Sequence, residues 1–492
     1  MSVKGSVRVA ILSSEAAPFA QTGGLGDVSG ALPKALRAEG LDAVLILPLH
    51  CATNRKHVLK RLVFDKGDLP VDWLGERWEV PVWESEAGGA PAYLIDAPTY
   101  FSREKLYGYG DDTYRYAFFN KAALTLLGRI GPAPDVIHGN DWTSGFGMVW
   151  LRSGRPWGGY LSGARTLLTI HNIGPGYQGR WADPGILWQL GFNDGERNVF
   201  LHDGIGNALK AGLMTCDAIS TVSPRYASEI QEPDALRPDA LRHGLDWLLR
   251  QRRERLVGIT NGIDYDIWNP AADALIPAHF DADDLSGKRA CKLELLKELG
   301  LPQEAERPLL ASVTRLAPEK FELIMKTAGE ILASGAFFVV LGDGADRYKD
   351  FLRALSDYAP QRVAARLGKF DVPLSHRIYA GADIFLMPSE TEPCGLSQMY
   401  SMRYGTVPVV RATGGLDDTV EHFDAARGTG TGFKFYEYSS RGFSGALREA
   451  LHSHGQPDVW RRVQLNGMRA DNSWQAAARK YVRVYEALQN LD

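Results

Sequence analysis

Two permanent cations and a carboxylate in the second half of the sequence have types and spacing suited to handling a phosphorylated sugar. Arg315 directly ends the apolar run Leu309 to Thr314, and Lys320 follows five residues later. Such a pair can converge on a diphosphate and stabilise the charge of a departing phosphate. A surface pair on an exposed loop is the alternative. Glu392, in Glu392-Pro393-Cys394-Gly395-Leu396, lies beside a glycine turn where its carboxylate can accept hydrogen bonds from sugar hydroxyls; otherwise it is a helix N-terminal acid favoured by the dipole. No Asp-x-Asp suited to magnesium occurs near either group, so the charge of a leaving group falls to Arg315 and Lys320.

The first half offers Gln21-Thr22-Gly23-Gly24-Leu25-Gly26-Asp27-Val28, after the apolar run Val7 to Leu12 and before an Ala/Leu-rich segment ending near Gly40. This order predicts strand, glycine loop, helix. Glycines let the backbone approach a ligand closely, and the first helical amides present the positive end of the dipole, which makes a seat for phosphate or a sugar hydroxyl. The competing reading is a tight strand-to-helix turn.

These residues need elements to hold them. Ala43 to Leu47, Asp135 to His138, Thr166 to His171 and Ala218 to Val222 read as strands between helical stretches. The second half repeats the theme with Leu309 to Arg315, Phe337 to Gly342, Val363 to Leu367, Ile384 to Pro388 and Thr406 to Val410, with a helix such as Phe321 to Ala333 between them. Alternating strands and helices predict βαβ units and parallel sheets covered on both faces, an α/β class with two Rossmann-like doubly wound domains. Polar residues gather where such runs end: His138-Gly139-Asn140-Asp141-Trp142, His171-Asn172, Arg315, and Glu390 with Glu392. Open α/β sheets place their ligands at those carboxyl ends. Gly258 to Asp264 is rich in turn formers and is the candidate linker. Arg250 to Arg255, four arginines and a glutamate in six residues, reads as a solvated helix face.

The 492 residues exceed one ordinary core and fit two domains. The net charge of −4 gives no electrostatic reason to expect nucleic acid or an anionic membrane. Four cysteines, Cys51, Cys216, Cys291 and Cys394, are scattered without metal-ligand spacing, so the expectation is a cytoplasmic protein without disulfides or a zinc site. Met1 to Val7 lacks the apolar core of a signal peptide, and no run reaches the ~18 apolar residues of a spanning helix.

Taken together and in order, the glycine loop, His138 to Trp142, Thr169 to Asn172, Thr221-Val222-Ser223-Pro224, Asn261-Gly262-Ile263-Asp264 with Trp268-Asn269-Pro270, Arg315 with Lys320, Ser375 to Ile378, Glu392 to Leu396 and Thr413-Gly414-Gly415-Leu416 resemble the bacterial glycogen synthase and plant starch synthase family over nearly the whole chain. The resemblance implies a retaining, metal-independent glucosyltransferase of the GT-B architecture: two domains facing across a deep cleft, residues 1–257 holding the α-1,4-glucan or glycogen acceptor, residues 258–470 holding the donor, and residues 471–492 forming a helix that crosses back to the first domain. It implies ADP-glucose as substrate and no cofactor. Carried over by position, His171 contacts the glucosyl unit, Asp141 lies near the anomeric carbon and acceptor, and Arg315, Lys320 and Glu392 complete the catalytic set. Gln21, Gly23, Gly24, Asn261, Gly342, Phe370, Cys394, Gly395, Leu396, Thr413, Gly414 and Gly415 join the donor side. Trp142 and Asn172 join Asp141 on the acceptor side. Phe370 falls where the family has a tyrosine against the nucleobase and otherwise reads as a core aromatic; Trp142 reads as an acceptor-side residue or as core.

The chain departs from the family pattern in two places. Gln21 stands where the family has lysine, and losing one charge near a diphosphate costs roughly 1–3 kcal/mol of binding. Phe321 stands where glycine is common. Tyr400 occupies the second position of the Glu-x7-Glu pattern of many GT-B enzymes, as that branch of the family also lacks the second glutamate. Three readings stay open at this point: an ADP-glucose α-1,4-glucan synthase; a relative using UDP-glucose or a small acceptor; and a weakly active glucan-binding homologue. Oligomeric state is not legible.

Overall fold

The computed structural model describes residues 6–53, 55–64, 67–154, 159–236 and 242–491. Residues 1–5 of the N-terminal stretch read above lie outside the described residues. The chain divides into two compact units, residues 1–262 with 474–492, and residues 263–473. The change of unit falls between Gly262 and Ile263, inside the turn-rich stretch Gly258 to Asp264.

Among the described residues the first unit carries a nine-stranded sheet. Its strands are β1 (Arg8–Leu12), β2 (Asp42–Pro48), β3 (Val58–Leu62), β4 (Val82–Ala87), β5 (Ala90–Ile95), β6 (Val136–Asn140), β7 (Arg165–Ile170), β8 (Ala218–Thr221) and β9 (Leu256–Gly258). They lie side by side as β9-β8-β7-β6-β1-β2-β5-β4-β3. From β9 to β5 every pairing is parallel, and β4 and β3 extend the edge antiparallel. The chain runs from β1 to β2 on one side and later returns to β6 on the other, so the crossovers part between β1 and β6. The antiparallel edge and a separate hairpin, Leu69–Trp73 with Glu76–Val80, add to the parallel sheet expected from the sequence.

One face of this sheet is covered by helix α1 (Gly24–Ala38) together with the C-terminal helix Trp474–Gln489. Buried Val28, Leu32, Ala35 and Leu36 of α1 meet Val9, Ile11, Leu45 and Leu94 of the sheet. The C-terminal helix buries Trp474, Ala477, Ala478, Tyr481, Tyr485 and Leu488 in the same cluster, the spacing of one apolar helical stripe. The Tyr485 hydroxyl also reaches His138 Nδ1 of β6 at 2.9 Å.

Among the described residues the second unit has six parallel strands: β10 (Leu309–Leu316), β11 (Phe337–Gly344), β12 (Val363–Leu367), β13 (Ile384–Met387), β14 (Val407–Arg411) and β15 (Phe433–Phe435), ordered β12-β11-β10-β13-β14-β15. Alternate residues of β10 and β11 enter two different clusters. Leu310, Phe338 and Val340 go to one face, and Leu309, Ala311, Phe337 and Val339 to the other, so the sheet is covered on both sides. Here the crossovers part between β10 and β13.

Two expectations need correction. The single helix from Phe321 to Ala333 is two, Pro318–Lys326 and Ala328–Ala333. Thr327 separates them, its hydroxyl donating back to the Leu323 carbonyl at 2.7 Å, a local competition that bends or breaks helices. Arg250 to Arg255 is not one solvated helix face: the helix Asp246–Gln251 ends within it. Arg252 instead donates to the carbonyls of Leu213 and Cys216 at 2.7 Å, where helix Ala208–Thr215 ends and cations are favoured. No helix among the described residues is long and apolar enough to cross a membrane.

Because the C-terminal helix completes the first core, Trp474→Ala should lower unfolding free energy by roughly 3–5 kcal/mol in urea titrations. Lys480→Ala, on the exposed side of the same helix, should change it by less than about 0.5 kcal/mol.

Candidate active site

In the first unit the candidate residues hang from the carboxyl ends of β1, β6, β7 and β9. Gly23 and Gly24 are exposed where α1 starts, and the N-cap, Gly23, has no side chain to cap the helix; the Gly26 amide turns back to the Gly23 carbonyl at 3.1 Å, which leaves the amides of Gly23 and Gly24 for a ligand. Gly26 has to lack a side chain, since a Cβ there would stand 2.3 Å from the Cβ of Gln21. Gln21 is exposed, and its amide nitrogen lies 3.5 Å from Asp27 Oδ1. Burial raises Asp27 to about 6, against the lowering effect of the Gln21 contact.

Asp141 follows β6 with φ +52°, a left-handed conformation that a non-glycine residue keeps only when its surroundings enforce it. Its amide donates to the Thr169 carbonyl at 2.8 Å, and its Oδ1 accepts from the His171 amide at 2.7 Å. These bonds aim the carboxyl at the end of β7. Burial, opposed by the backbone donors of His171 and Asn172, raises Asp141 to about 7.

The tautomer of His171 is set by its neighbour. Asn140 donates its amide nitrogen to the Leu12 carbonyl at 3.0 Å, so only its oxygen faces His171 Nε2, 2.9 Å away. Nε2 therefore carries the proton, and Nδ1 keeps its lone pair. Burial lowers His171 to about 3, so the ring is neutral and offers Nδ1 as an acceptor for a hydroxyl.

The rest of this group is less uniform. Trp142 is half-buried and packs edge-on against Tyr116, with ring centroids 4.9 Å apart. Asn172 is half-buried and spends its side-chain oxygen on the Gly174 amide at 2.8 Å, a local turn. Asn261, beyond β9, is buried, and its Oδ1 has no hydrogen-bond partner among the described residues. A buried amide oxygen left so is costly unless something binds it.

In the second unit the loops after β10 and β13 meet. Lys320, in the first turn of helix Pro318–Lys326, donates to Glu392 Oε2 at 2.5 Å and to the Thr391 carbonyl at 3.1 Å. Ser389 Oγ donates to the same carboxylate at 3.3 Å. Both partners of the ion pair are mostly shielded, with side chains 15% and 11% exposed. Arg315 behaves differently: its side chain is 58% exposed and pairs with Glu319 at 2.8 Å.

The segment Glu392 to Leu396 interlocks with Thr413 to Gly415. The Gly415 amide donates to the Glu392 carbonyl at 3.1 Å. Gly414 has φ +45°, and a Cβ there would stand 1.9 Å from that carbonyl, so both conformation and space demand glycine. Cys394 and Thr413 are buried; Gly395 and Leu396 are half-buried. Gly342 lies in β11 beside Thr314 of β10. Phe370 is 54% exposed, which overturns the reading of it as a core aromatic.

Sequence reasoning missed two groups. Asn140 fixes His171, and Glu15 is buried behind the glycine loop, accepting from Thr22 N at 2.6 Å and Thr22 Oγ1 at 2.8 Å. The signal for Glu15 was its place three residues beyond β1, in Ser13-Ser14-Glu15. Among the described residues no group of three His, Cys, Asp or Glu is placed to hold a metal ion.

Two doubly wound units, each with polar loops gathered where its crossovers part, define a glycosyltransferase of the GT-B class. Residues 8–251 match the family model "Starch synthase catalytic domain", and residues 299–463 match "Glycosyl transferases group 1". The chain is 44% identical to a glycogen synthase of Anaeromyxobacter dehalogenans over 498 residues, covering 98% of this chain and 100% of that one. It is 39% identical to the Lactococcus lactis glycogen synthase, covering 98% and 100%. The catalytic domain of Arabidopsis thaliana starch synthase IV, solved bound to ADP and acarbose, superposes with a TM-score of 0.89 at 33% identity, covering 99% of this chain and 100% of that one. A sucrose-phosphate synthase from Thermosynechococcus elongatus, 18% identical with a TM-score of 0.59, shares the fold. The chain belongs to the glycogen synthase and starch synthase family.

Two outcomes follow from the geometry. Lys320→Ala strands a shielded Glu392 carboxylate, so it should cost roughly 3–5 kcal/mol of stability, whereas Lys320→Met with Glu392→Gln should recover most of that loss in thermal melts. Asp141 has a folded pKa above its ordinary value of 3.8, so the folded state binds more protons between that value and about 7. Its contribution to stability is complete below the ordinary carboxylate range and lost as pH rises through 7. Asp141→Asn should therefore raise the Tm relative to wild type by a margin that grows from pH 5 to pH 8; a pH-independent margin would contradict the raised pKa.

Proposed function

We propose that this protein transfers glucose from ADP-glucose to the non-reducing end of an α-1,4-glucan, with retention at the anomeric carbon. The observation that carries the reading is the shielded Lys320–Glu392 pair at the parting of the second unit's crossovers, in a chain that matches over its full length proteins named glycogen synthase. The starch synthase neighbour, solved bound to ADP and acarbose, supports a nucleoside diphosphate sugar and a glucan as the two substrates.

In this reading Arg315 and Lys320 bind the donor's diphosphate and stabilise it as it leaves. Glu392 holds glucose hydroxyls, and its backbone with Cys394, Gly395, Leu396, Thr413, Gly414 and Gly415 shapes the sugar and phosphate seat. Gly342 allows close approach, and exposed Phe370 is available to the nucleobase. In the first unit Gly23 and Gly24 offer amides to the diphosphate, and Asn261 turns its unpartnered oxygen to a sugar hydroxyl. Asp141, Trp142 and Asn172 serve the acceptor.

None of the candidate carboxyls is assigned a nucleophile's role. The acceptor hydroxyl attacks the anomeric carbon on the face the diphosphate leaves, through an oxocarbenium-like transition state. The new C–O bond forms as the old one breaks, and the departing phosphate oxygen takes the acceptor's proton. Neutral His171, held by Asn140, accepts a hydrogen bond from a sugar hydroxyl through Nδ1 and orients the ring without adding positive charge beside a developing cation. No cofactor and no metal enters this scheme.

The test is nucleotide release with ADP-glucose and UDP-glucose in parallel, glycogen as acceptor. ADP release that requires glycogen, at least tenfold faster than UDP release and little changed by EDTA, is expected. Faster UDP release would overturn the donor assignment, and product confined to small acceptors would overturn the acceptor. Arg315→Ala should lower kcat/KM about a hundredfold or more, the scale of a lost transition-state charge donor. Gln21 is the observation that favours the alternative donor. Gln21→Lys should tighten ADP-glucose binding if the site is otherwise ordinary; a change of preferred donor instead would mark residue 21 as a specificity residue.

A further inference from the structure

The glycine loop of the first unit is held from behind by a carboxyl that the scheme above does not use. Glu15 is 3% exposed. A single oxygen, Oε2, accepts both the amide and the hydroxyl hydrogen of Thr22, the residue just before Gly23 and Gly24. Glu15 is itself anchored. Its carbonyl accepts from Ser13 Oγ at 2.7 Å, and Ser13 Oγ accepts from Ser29 Oγ of α1 at 2.8 Å. The Ala17 amide donates to the Gly26 carbonyl at 2.9 Å, so the stretch that carries Glu15 is tied to α1 on both sides of it, at Ser13 and at Ala17. Thr22, Gly23 and Gly24 are exposed on top of this support, and the helix start carries no side-chain cap.

The charges around Glu15 are of one sign. Asp27 of α1 raises the Glu15 carboxyl, Glu15 in turn raises Asp141 beyond β6, and Tyr107 and Tyr116 face it as neutral phenols. The guanidinium of Arg115, beside Tyr116, is committed to Asp112 and to the carbonyls of Tyr100 and Leu106. His50, which bonds the Ser14 carbonyl at 2.8 Å, is kept neutral by burial. The position where the family pattern has lysine is Gln21, which contributes an amide to Asp27.

We propose that Glu15 is a positioning residue for donor binding: its carboxyl fixes the posture of Gly23 and Gly24 through Thr22, and its negative charge, uncompensated at position 21, opposes a diphosphate at the loop. The proposal rests on the donor reading given above. Burial, opposed by the hydrogen bonds of Thr22 and of the Gly26 amide and reinforced by Asp27, pushes Glu15 up to about 7, so its proton is exchanged near neutral pH. The carbonyl oxygen of a protonated carboxyl still accepts both Thr22 hydrogens, so the loop keeps its posture while its charge changes. Above pH 7 the anion lies behind amides that should face phosphate, and donor binding weakens.

Three variants of the full chain separate posture from charge. Glu15→Gln keeps an oxygen at the same reach and removes the charge; Glu15→Ala removes both; Thr22→Val removes the hydroxyl donor should Glu15→Ala fail to fold. Hydrogen exchange of the free protein over residues 16–28 reports posture, and donor KM and kcat from pH 6 to 8.5 report binding. Glu15→Ala, or Thr22→Val in its place, should speed exchange in that segment at least fivefold and raise donor KM at least threefold, with kcat changing less than KM. Glu15→Gln should keep exchange slow, match wild-type KM at pH 6, and lose the several-fold rise in KM that wild type shows by pH 8.5. Unchanged exchange and KM in the truncated variants, or kcat and KM shifting together with a lowered Tm, would overturn the positioning role. A wild-type pH slope retained by Glu15→Gln would overturn the role of the charge. If wild type releases no ADP from ADP-glucose, the donor reading fails, while the exchange data still decide whether Glu15 holds the loop.

Discussion

Parallel strands cannot be joined by tight turns, and the crossovers that join them are right-handed, so a sheet wound in both directions must part its crossovers between one pair of neighbouring strands. Most of the candidate chemistry in this chain follows from that constraint. In the first unit the parting lies between β1 and β6, and the loops released there carry the glycine loop and Asn140-Asp141. In the second it lies between β10 and β13, and Lys320 meets Glu392 across it although 72 residues separate them in sequence. The strand cores supply the rigidity. Val9, Ile11, Leu310 and Ile384 are fully buried, so the loop ends they carry have little freedom to drift.

Burial at these strand ends then decides protonation. Desolvation is the largest influence on His171 and on Asp141, and it acts in opposite directions on their pKa values, lowering the histidine and raising the acid. Both groups are thereby pressed toward neutrality. In the proposed reaction a neutral imidazole would orient the sugar without repelling a developing cation, and an acid titrating near 7 changes its charge over the range in which enzymes commonly work. The cost is paid in hydrogen bonds that leave no choice of geometry: Asn140 dictates the tautomer of His171, and the His171 amide dictates the aim of Asp141.

How much of this was legible from the sequence depends on the range of the interaction. The central strands were readable because parallel strands buried on both faces are continuous apolar runs. The residues at their carboxyl ends could be placed with them, as Arg315 in the last two residues of β10 and His171 just after β7 show. The antiparallel edge was not readable, since β3 and β4 are short and mixed in polarity. The break at Thr327 depends on one hydroxyl bonding back to Leu323, and the fate of Arg252 on carbonyls 36 and 39 residues away. Glu15 escaped because its partner, Thr22, folds back on it through a loop with no periodicity to read. The exposure of Phe370 was equally hidden, because an aromatic just past a strand fits core and surface alike.

The structure also separates two cations that the sequence presents as equivalent. Lys320 has two jobs already, holding the Glu392 carboxylate and the Thr391 carbonyl, and taking it away would leave a shielded anion. Its charge is therefore largely answered before any phosphate arrives, and its firmest contribution is to fix the carboxylate. Arg315 is the more exposed, and its pair with Glu319 is of the kind worth ~1 kcal/mol or less, so an incoming phosphate can compete for the guanidinium at small cost. Its planar fork suits bidentate contact with phosphate oxygens, which an ammonium cannot reproduce. In the proposed reaction the two cations would then divide the labour, Lys320 holding Glu392 in place beside the diphosphate it helps to bind and Arg315 answering the larger share of the new negative charge.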